Sequence, residues 1–101
     1  MKYISKYNEN KSRSLELTWV DFTAGMDGAY ALYINDDLYK YGDSYHNKIQ
    51  DWYRGFKNGL NYSNITFTIK NIIVQTGNEW IIRVSEYGES PPKHLSNLDW
   101  D

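Results

Sequence analysis

The side chains that acid–base or metal chemistry would draw on are few in this 101-residue chain: two imidazoles, His46 and His94, and a series of aspartates. Neither histidine neighbours a serine in a known nucleophile setting. The chain has no cysteine, which removes thiol nucleophiles, zinc knuckles and disulfides together. His46 falls where a helix is expected to begin, and the helix dipole there opposes an imidazolium. Asp36 and Asp37 are adjacent, and in a turn such neighbours splay apart instead of sharing a proton. Asp27, Asp36, Asp37 and Asp43 lack the spacing and terminal glutamate of a calcium loop. Gly25-Met26-Asp27-Gly28 sets a carboxylate where a phosphate-binding turn needs amides. The expectation is a protein that is not an enzyme and uses no metal or cofactor.

Charge distribution points to binding instead. The formal net charge is only −2, yet residues 21–51 carry six aspartates against Lys40 and Lys48, while residues 1–13 are basic. Zones of this kind steer partners even when the total is small. Tyr33, Tyr39 and Tyr41 flank the central aspartates, and tyrosine is an effective interface anchor because it buries a large area with few rotors. Direct nucleic-acid binding through Lys2, Lys6, Lys11 and Arg13 is disfavoured by a pI near 5.6. No apolar run approaches the ~20 residues of a membrane span. No apolar stretch follows the N-terminal lysines, so a secretion signal is not expected and a soluble, cytoplasmic protein is.

These residues need elements to hold them. Tyr45, Ile49, Trp52, Tyr53, Phe56 and Leu60 recur at a 3.6-residue period and predict an amphipathic helix over about 44–61. Asp43 or Ser44 is the expected N-terminal cap, and Gly59 or Asn61 the expected end. Gly55, inside the helix, is read as a point of close approach to a sheet. Leu15, Leu17 and Trp19 alternate with Glu16 and Thr18, the pattern of a half-buried strand. Residues 29–34 and 38–41 are two further strands joined by a tight hairpin at Asn35-Asp36-Asp37. Ile65, Phe67 and Ile69 alternate, then slip in phase, which predicts a bulge near Lys70-Asn71 before a second hairpin to Trp80–Val84.

The fold class is therefore α+β: an antiparallel sheet of four to five strands with one main helix packed on one face. A single domain over residues 1–89 is expected. A Pro91-Pro92 linker and a short tail, residues 90–101, follow it. Leu95, Leu98 and Trp100 favour a tail that folds back, since they are costly to expose.

From Tyr30 to Asn61 the order is strand, Asn/Asp turn, strand, then a helix that closes on Phe56-Lys57-Asn58-Gly59. This stretch resembles the small phage-borne anti-CRISPR proteins that inhibit type II-A Cas9. The resemblance implies carboxylates that occupy the pocket reading the protospacer-adjacent motif, where arginines otherwise meet DNA. Asn35, Asp36 and Asp37 match the family's acidic hairpin, and Asp27 and Asp43 lie near its ends. The site expected from these residues is Asp27, Tyr33, Asn35, Asp36, Asp37, Tyr39, Tyr41 and Asp43, and the partner is a host defence protein such as a Cas nuclease. Two other classes compete. One is a small-ligand protein that sequesters a nucleotide signal between tyrosines, with Arg54, Lys57 or Arg83 on phosphate. The other is a homo-oligomeric structural module built on a sheet edge or the tail.

Overall fold

The protein is described here by a computed structural model over residues 14–24, 27–44, 48–74 and 88–97. Its elements are β1 (Ser14–Ala24), β2 (Asp27–Ile34), β3 (Asp37–Asp43), α1 (Ile49–Tyr62) and β4 (Thr66–Ile73), followed by a 3-10 turn at Leu95–Asn97. The strands form one sheet in the order β3-β2-β1-β4. The fold is α+β with α1 as its main helix, as the sequence predicts.

The sheet is mixed, not purely antiparallel. β1 pairs with β2 and β2 with β3 in antiparallel fashion, but β1 and β4 run parallel from Ser14↔Thr66 to Asp21↔Ile73. The cause is the helix: α1 carries the chain back across the sheet, so β4 runs in the direction of β3, and therefore of β1. The β1–β4 register is unbroken through Lys70 and Asn71, so the expected bulge there is absent. The expected partner strand at Trp80–Val84 lies outside the described residues.

A covered parallel edge requires apolar cover on both faces. One face carries Leu15, Leu17 and Trp19 of β1, Leu32 and Ile34 of β2 and Phe67 of β4 against Trp52, Tyr53, Phe56 and Leu60 of α1. The other packs Val20, Phe22, Ala29, Ala31 and Tyr33 with Val74, joined by Leu38, Tyr41 and Leu95. Leu17 is buried on one side of β1 and Thr18, Val20 and Phe22 on the other, so this stretch is covered on both faces and is not the half-buried strand its first residues suggest.

The helix begins later than its apolar period implies. Asp43 ends β3, and Ser44 still extends the β2–β3 ladder by donating its N–H to the Gly28 carbonyl at 2.9 Å. Neither residue caps α1. Lys48, left-handed at φ 51°, precedes the first turn without a side-chain cap. At the other end the helix runs past Gly59 and Asn61 to Tyr62. Asn64, at φ 61°, then donates to the Asn61 carbonyl at 3.1 Å, and Ile65 to the Leu60 carbonyl at 2.9 Å. That is a Schellman arrangement with asparagine in glycine's usual place. Gly55 faces outward, with open space where a Cβ would stand, so it mediates no close approach to the sheet.

Candidate functional site

The β2–β3 turn is a two-residue loop. Ile34 pairs with Asp37, and both intervening residues have positive φ, Asn35 at 51° and Asp36 at 77°. A type I′ turn demands this conformation, which Asn and Asp tolerate better than other side chains. Asn35 is committed to the fold. Its N–H donates to the Glu16 carbonyl at 2.9 Å, and its Oδ1 accepts from the Glu16 N–H at 3.0 Å. The turn is thereby locked to β1, while the Asn35 side chain stays exposed.

The two carboxylates meet the chain's own C-terminal segment. Pro91 is buried, and the Pro92 carbonyl accepts the hydroxyl of Tyr33 at 2.8 Å. The Leu38 N–H donates to the Lys93 carbonyl at 2.7 Å, and the Leu95 N–H donates to the Asp36 carbonyl at 2.8 Å. These two bonds flank an antiparallel bridge between Asp37 and His94. Asp36 then caps the 3-10 turn: its Oδ1 accepts the Ser96 N–H at 2.9 Å and its Oδ2 the Ser96 hydroxyl at 3.3 Å. His94 Nδ1 lies 2.9 Å from Asp37 Oδ1 and 4.0 Å from Asp36 Oδ2. As far as Asn97 the tail folds back, onto the hairpin tip; Leu98 and Trp100 lie outside the described residues. Even so, the Asp37 side chain keeps 71% of its exposure and Asp36 48%.

The flanking tyrosines separate. Tyr33, expected as an anchor, is fully buried and reaches no partner surface. Burial, and secondarily the Asp36 charge, holds its hydroxyl well above the ordinary range for a phenol. Tyr41 packs into the same layer as Tyr33, away from α1. Tyr39 takes the other side because of a bulge: Leu32 pairs with Lys40 and Tyr33 with Leu38, which leaves Tyr39 as the extra residue. Its ring stands 6.1 Å from Trp52 and 5.4 Å from Phe56 while remaining 58% exposed. Lys40 follows it, with Nζ 5.2 Å from the Trp52 ring centre. Asp43 is half-buried at the far end of β3, opposite Ala29, and Asp27 starts β2 opposite Ala24. Strand β3 thus separates Asp43 from the tip, instead of merging the two into one acidic face. His46 lies outside the described residues.

Compared with protein-family models, curated proteins and solved structures, the chain finds no match. The site must therefore be judged on its own chemistry. Among the described residues five rings stack on one another, while Tyr62 is exposed. Trp19 lies 3.9 Å from Tyr53 and 5.1 Å from Tyr30, near-parallel to both, and Trp52 lies 5.1 Å from Phe56. Of the cations proposed for phosphate, Lys57 covers the Tyr53 ring at 4.2 Å and Arg54 pairs with Asp51 at 3.2 Å. Arg83 lies outside the described residues. Among the described residues no cluster of three or more metal-ligating side chains forms, and no helix is long and apolar enough to cross a membrane. What the geometry does assemble is a locked turn presenting two carboxylates to nitrogen donors, with an exposed tyrosine beside it. Pattern reading finds the turn but misses Lys40, Trp52, His94 and Ser96. Only a pairing across some sixty residues brings the last two to the tip, and no local signal announces it.

Proposed function

We propose that this chain is a non-enzymatic inhibitor of phage or mobile-element origin that binds a host defence protein, of the CRISPR–Cas effector kind, in the bacterial cytoplasm. Asp36 and Asp37 at the tip of the hairpin, with Tyr39 as neighbouring anchor, carry the contact and take the place of DNA before arginine side chains. The observation that supports this most is the state of Asp37: its Oδ1 lies 2.9 Å from a ring nitrogen of His94 and 71% of its side chain is still exposed. A carboxylate fixed on a locked turn loses little freedom when a guanidinium arrives, and the arginine fork suits it. Nucleotide sequestration is less well supported, because Trp19, Tyr30 and Tyr53 stack on one another and Lys57 and Arg54 are engaged by Tyr53 and Asp51.

The test follows from the division of labour at the tip. Asp36 also holds the tail, so its replacement confounds binding with folding. Asp37→Lys keeps Asp36's bonds to Ser96 and gives up only the exposed contact with His94, and Tyr39→Ala touches neither. Binding of each variant to a Cas9-type effector, with competition by duplex carrying the protospacer-adjacent motif, reads the surface directly. Asp37→Lys is expected to weaken binding at least tenfold, about 1.4 kcal/mol, and to abolish the competition. Equal affinity of Asp37→Lys and the parent at moderate salt overturns the proposal.

A further inference from the structure

The tail contact has the form of a ligand complex. Residues 92–94 run along the tip with a single antiparallel bridge at His94, and Leu95–Asn97 then close over it as a 3-10 turn. The Lys93 carbonyl takes the Leu38 N–H, and the Leu95 N–H finds the Asp36 carbonyl. Asp36 accepts the Ser96 N–H and hydroxyl, and Asp37 Oδ1 lies 2.9 Å from a nitrogen of His94. β3 is the last strand of the described sheet on this side, so the segment adds to an edge, the mode by which sheets recruit extended peptides. Anchorage below it is separate: the Pro92 carbonyl is tied by Tyr33, and Pro91 is buried. Beyond Pro92, Lys93, His94 and Ser96 are open to solvent, and Leu95 alone of the four packs, half-buried, on the core layer beside Leu38 and Tyr41.

We propose that residues 93–96 are an exchangeable occupant of the tip. They hold in cis an edge-docking site whose partner is a protein segment that pairs by one antiparallel bridge and then turns, bearing a nitrogenous side chain, next an apolar one, then a hydroxyl. The inference rests on the proposed function in placing the partner at the tip, and it goes further in assigning the partner's backbone and side-chain chemistry. It also makes the tail a competitor. A tethered segment acts at an effective concentration of the order of millimolar, so a weak contact in cis still excludes a weak contact in trans. A partner gains access by the fraction of time that the tip is open.

The experiment uses the full chain and a synthetic peptide of the sequence Ser90 to Asn97, followed by amide chemical shifts and by the exchange rates of the Leu38 and Leu95 amides. His94→Ala with Ser96→Pro removes the ring nitrogen and the capping N–H while leaving the tip's own residues untouched. The parent chain is expected to show no saturable shift at Asp36, Asp37 and Leu38 up to millimolar peptide. In the double variant, Leu38 exchange should rise at least tenfold and the peptide should produce saturable shifts at those residues. A peptide with arginine for the histidine should bind at least as well, and one with glutamate should not. If the weakened chain takes up no peptide, or the parent takes it up equally, the exchangeable occupant is overturned. Peptide uptake without effector binding would leave the docking site standing and remove the proposed function. Effector binding that depends on Asp37 but ignores the tail substitutions would do the reverse.

Discussion

Two tyrosines on opposite faces of the sheet should respond oppositely to loss of the same atom. Tyr33 is fully buried, and its hydroxyl donates to the Pro92 carbonyl at 2.8 Å. In Tyr33→Phe that carbonyl loses its donor at a site where water has limited access, a loss of about 1–3 kcal/mol for a buried acceptor. Pro92 is only half-buried and solvent recovers part of the bond, so about 1–1.5 kcal/mol is expected. For a domain of this size that is a fall in Tm of roughly 4–10 °C. Tyr53 is also buried, against Trp19 and α1's own neighbours, but no described residue bonds its hydroxyl. Phenylalanine keeps the ring stack and the Lys57 contact and removes a desolvated polar atom. Tyr53→Phe should therefore be neutral or up to about 1 kcal/mol more stable. Thermal and urea melts followed by circular dichroism measure both, with an unchanged m-value showing that stability and not compactness has moved. The two sites belong to different packed layers, so the double variant should equal the sum within about 0.5 kcal/mol. A Tyr33→Phe melt that superimposes on the parent, or a Tyr53→Phe melt that falls as far, would refute the assignment of the two hydroxyls.

Further outcomes follow from the same features. Burial raises the phenol of both Tyr33 and Tyr53, so above about pH 10 the unfolded chain releases protons that the folded chain retains. Stability present below pH 10 is therefore lost as pH rises, with a limiting slope of about 1.4 kcal/mol per pH unit for each tyrosine. Urea midpoints from pH 9 to 12 should show that decline in the parent and a shallower one in Tyr33→Phe. Gly55→Ala and Gly59→Ala place a methyl group in open space on a helix and should each raise the urea midpoint by the equivalent of about 0.5–1 kcal/mol.

Where the sequence carries a short-range signal, the fold was legible. The helical stripe from Ile49 to Leu60 and the Asn35-Asp36 turn are both local patterns, and both stand where the periodicity and turn chemistry put them. The start of the helix was not, because Ser44 extends the β2–β3 ladder and leaves Lys48 to open the first turn. Parallel pairing of β1 with β4 was missed for a related reason: alternation marks a strand but carries no direction. The same limit applies to the site. Asp36 and Asp37 stand at the hairpin tip where the turn pattern puts them, with Tyr39 exposed beside them. The burial of Tyr33 was not legible, nor were the bonds from Ser96 and His94, since those depend on which remote segment closes over the tip.

The parallel ladder also bears on how the chain reaches this state. Its paired residues stand roughly fifty positions apart, so closing it confines a large loop and yields nothing until the closure is complete. The meander from β1 to β3 needs only short closures, and α1 can consolidate on its exposed face. β4 then has one vacant side of β1 to find. Until it does, the inner strand of the finished sheet is an outer one, with free amides and carbonyls along Ser14–Asp21. The interval before β4 arrives is thus when this molecule is most prone to pair with a neighbour, and a slow, concentration-sensitive phase in refolding is its expected signature.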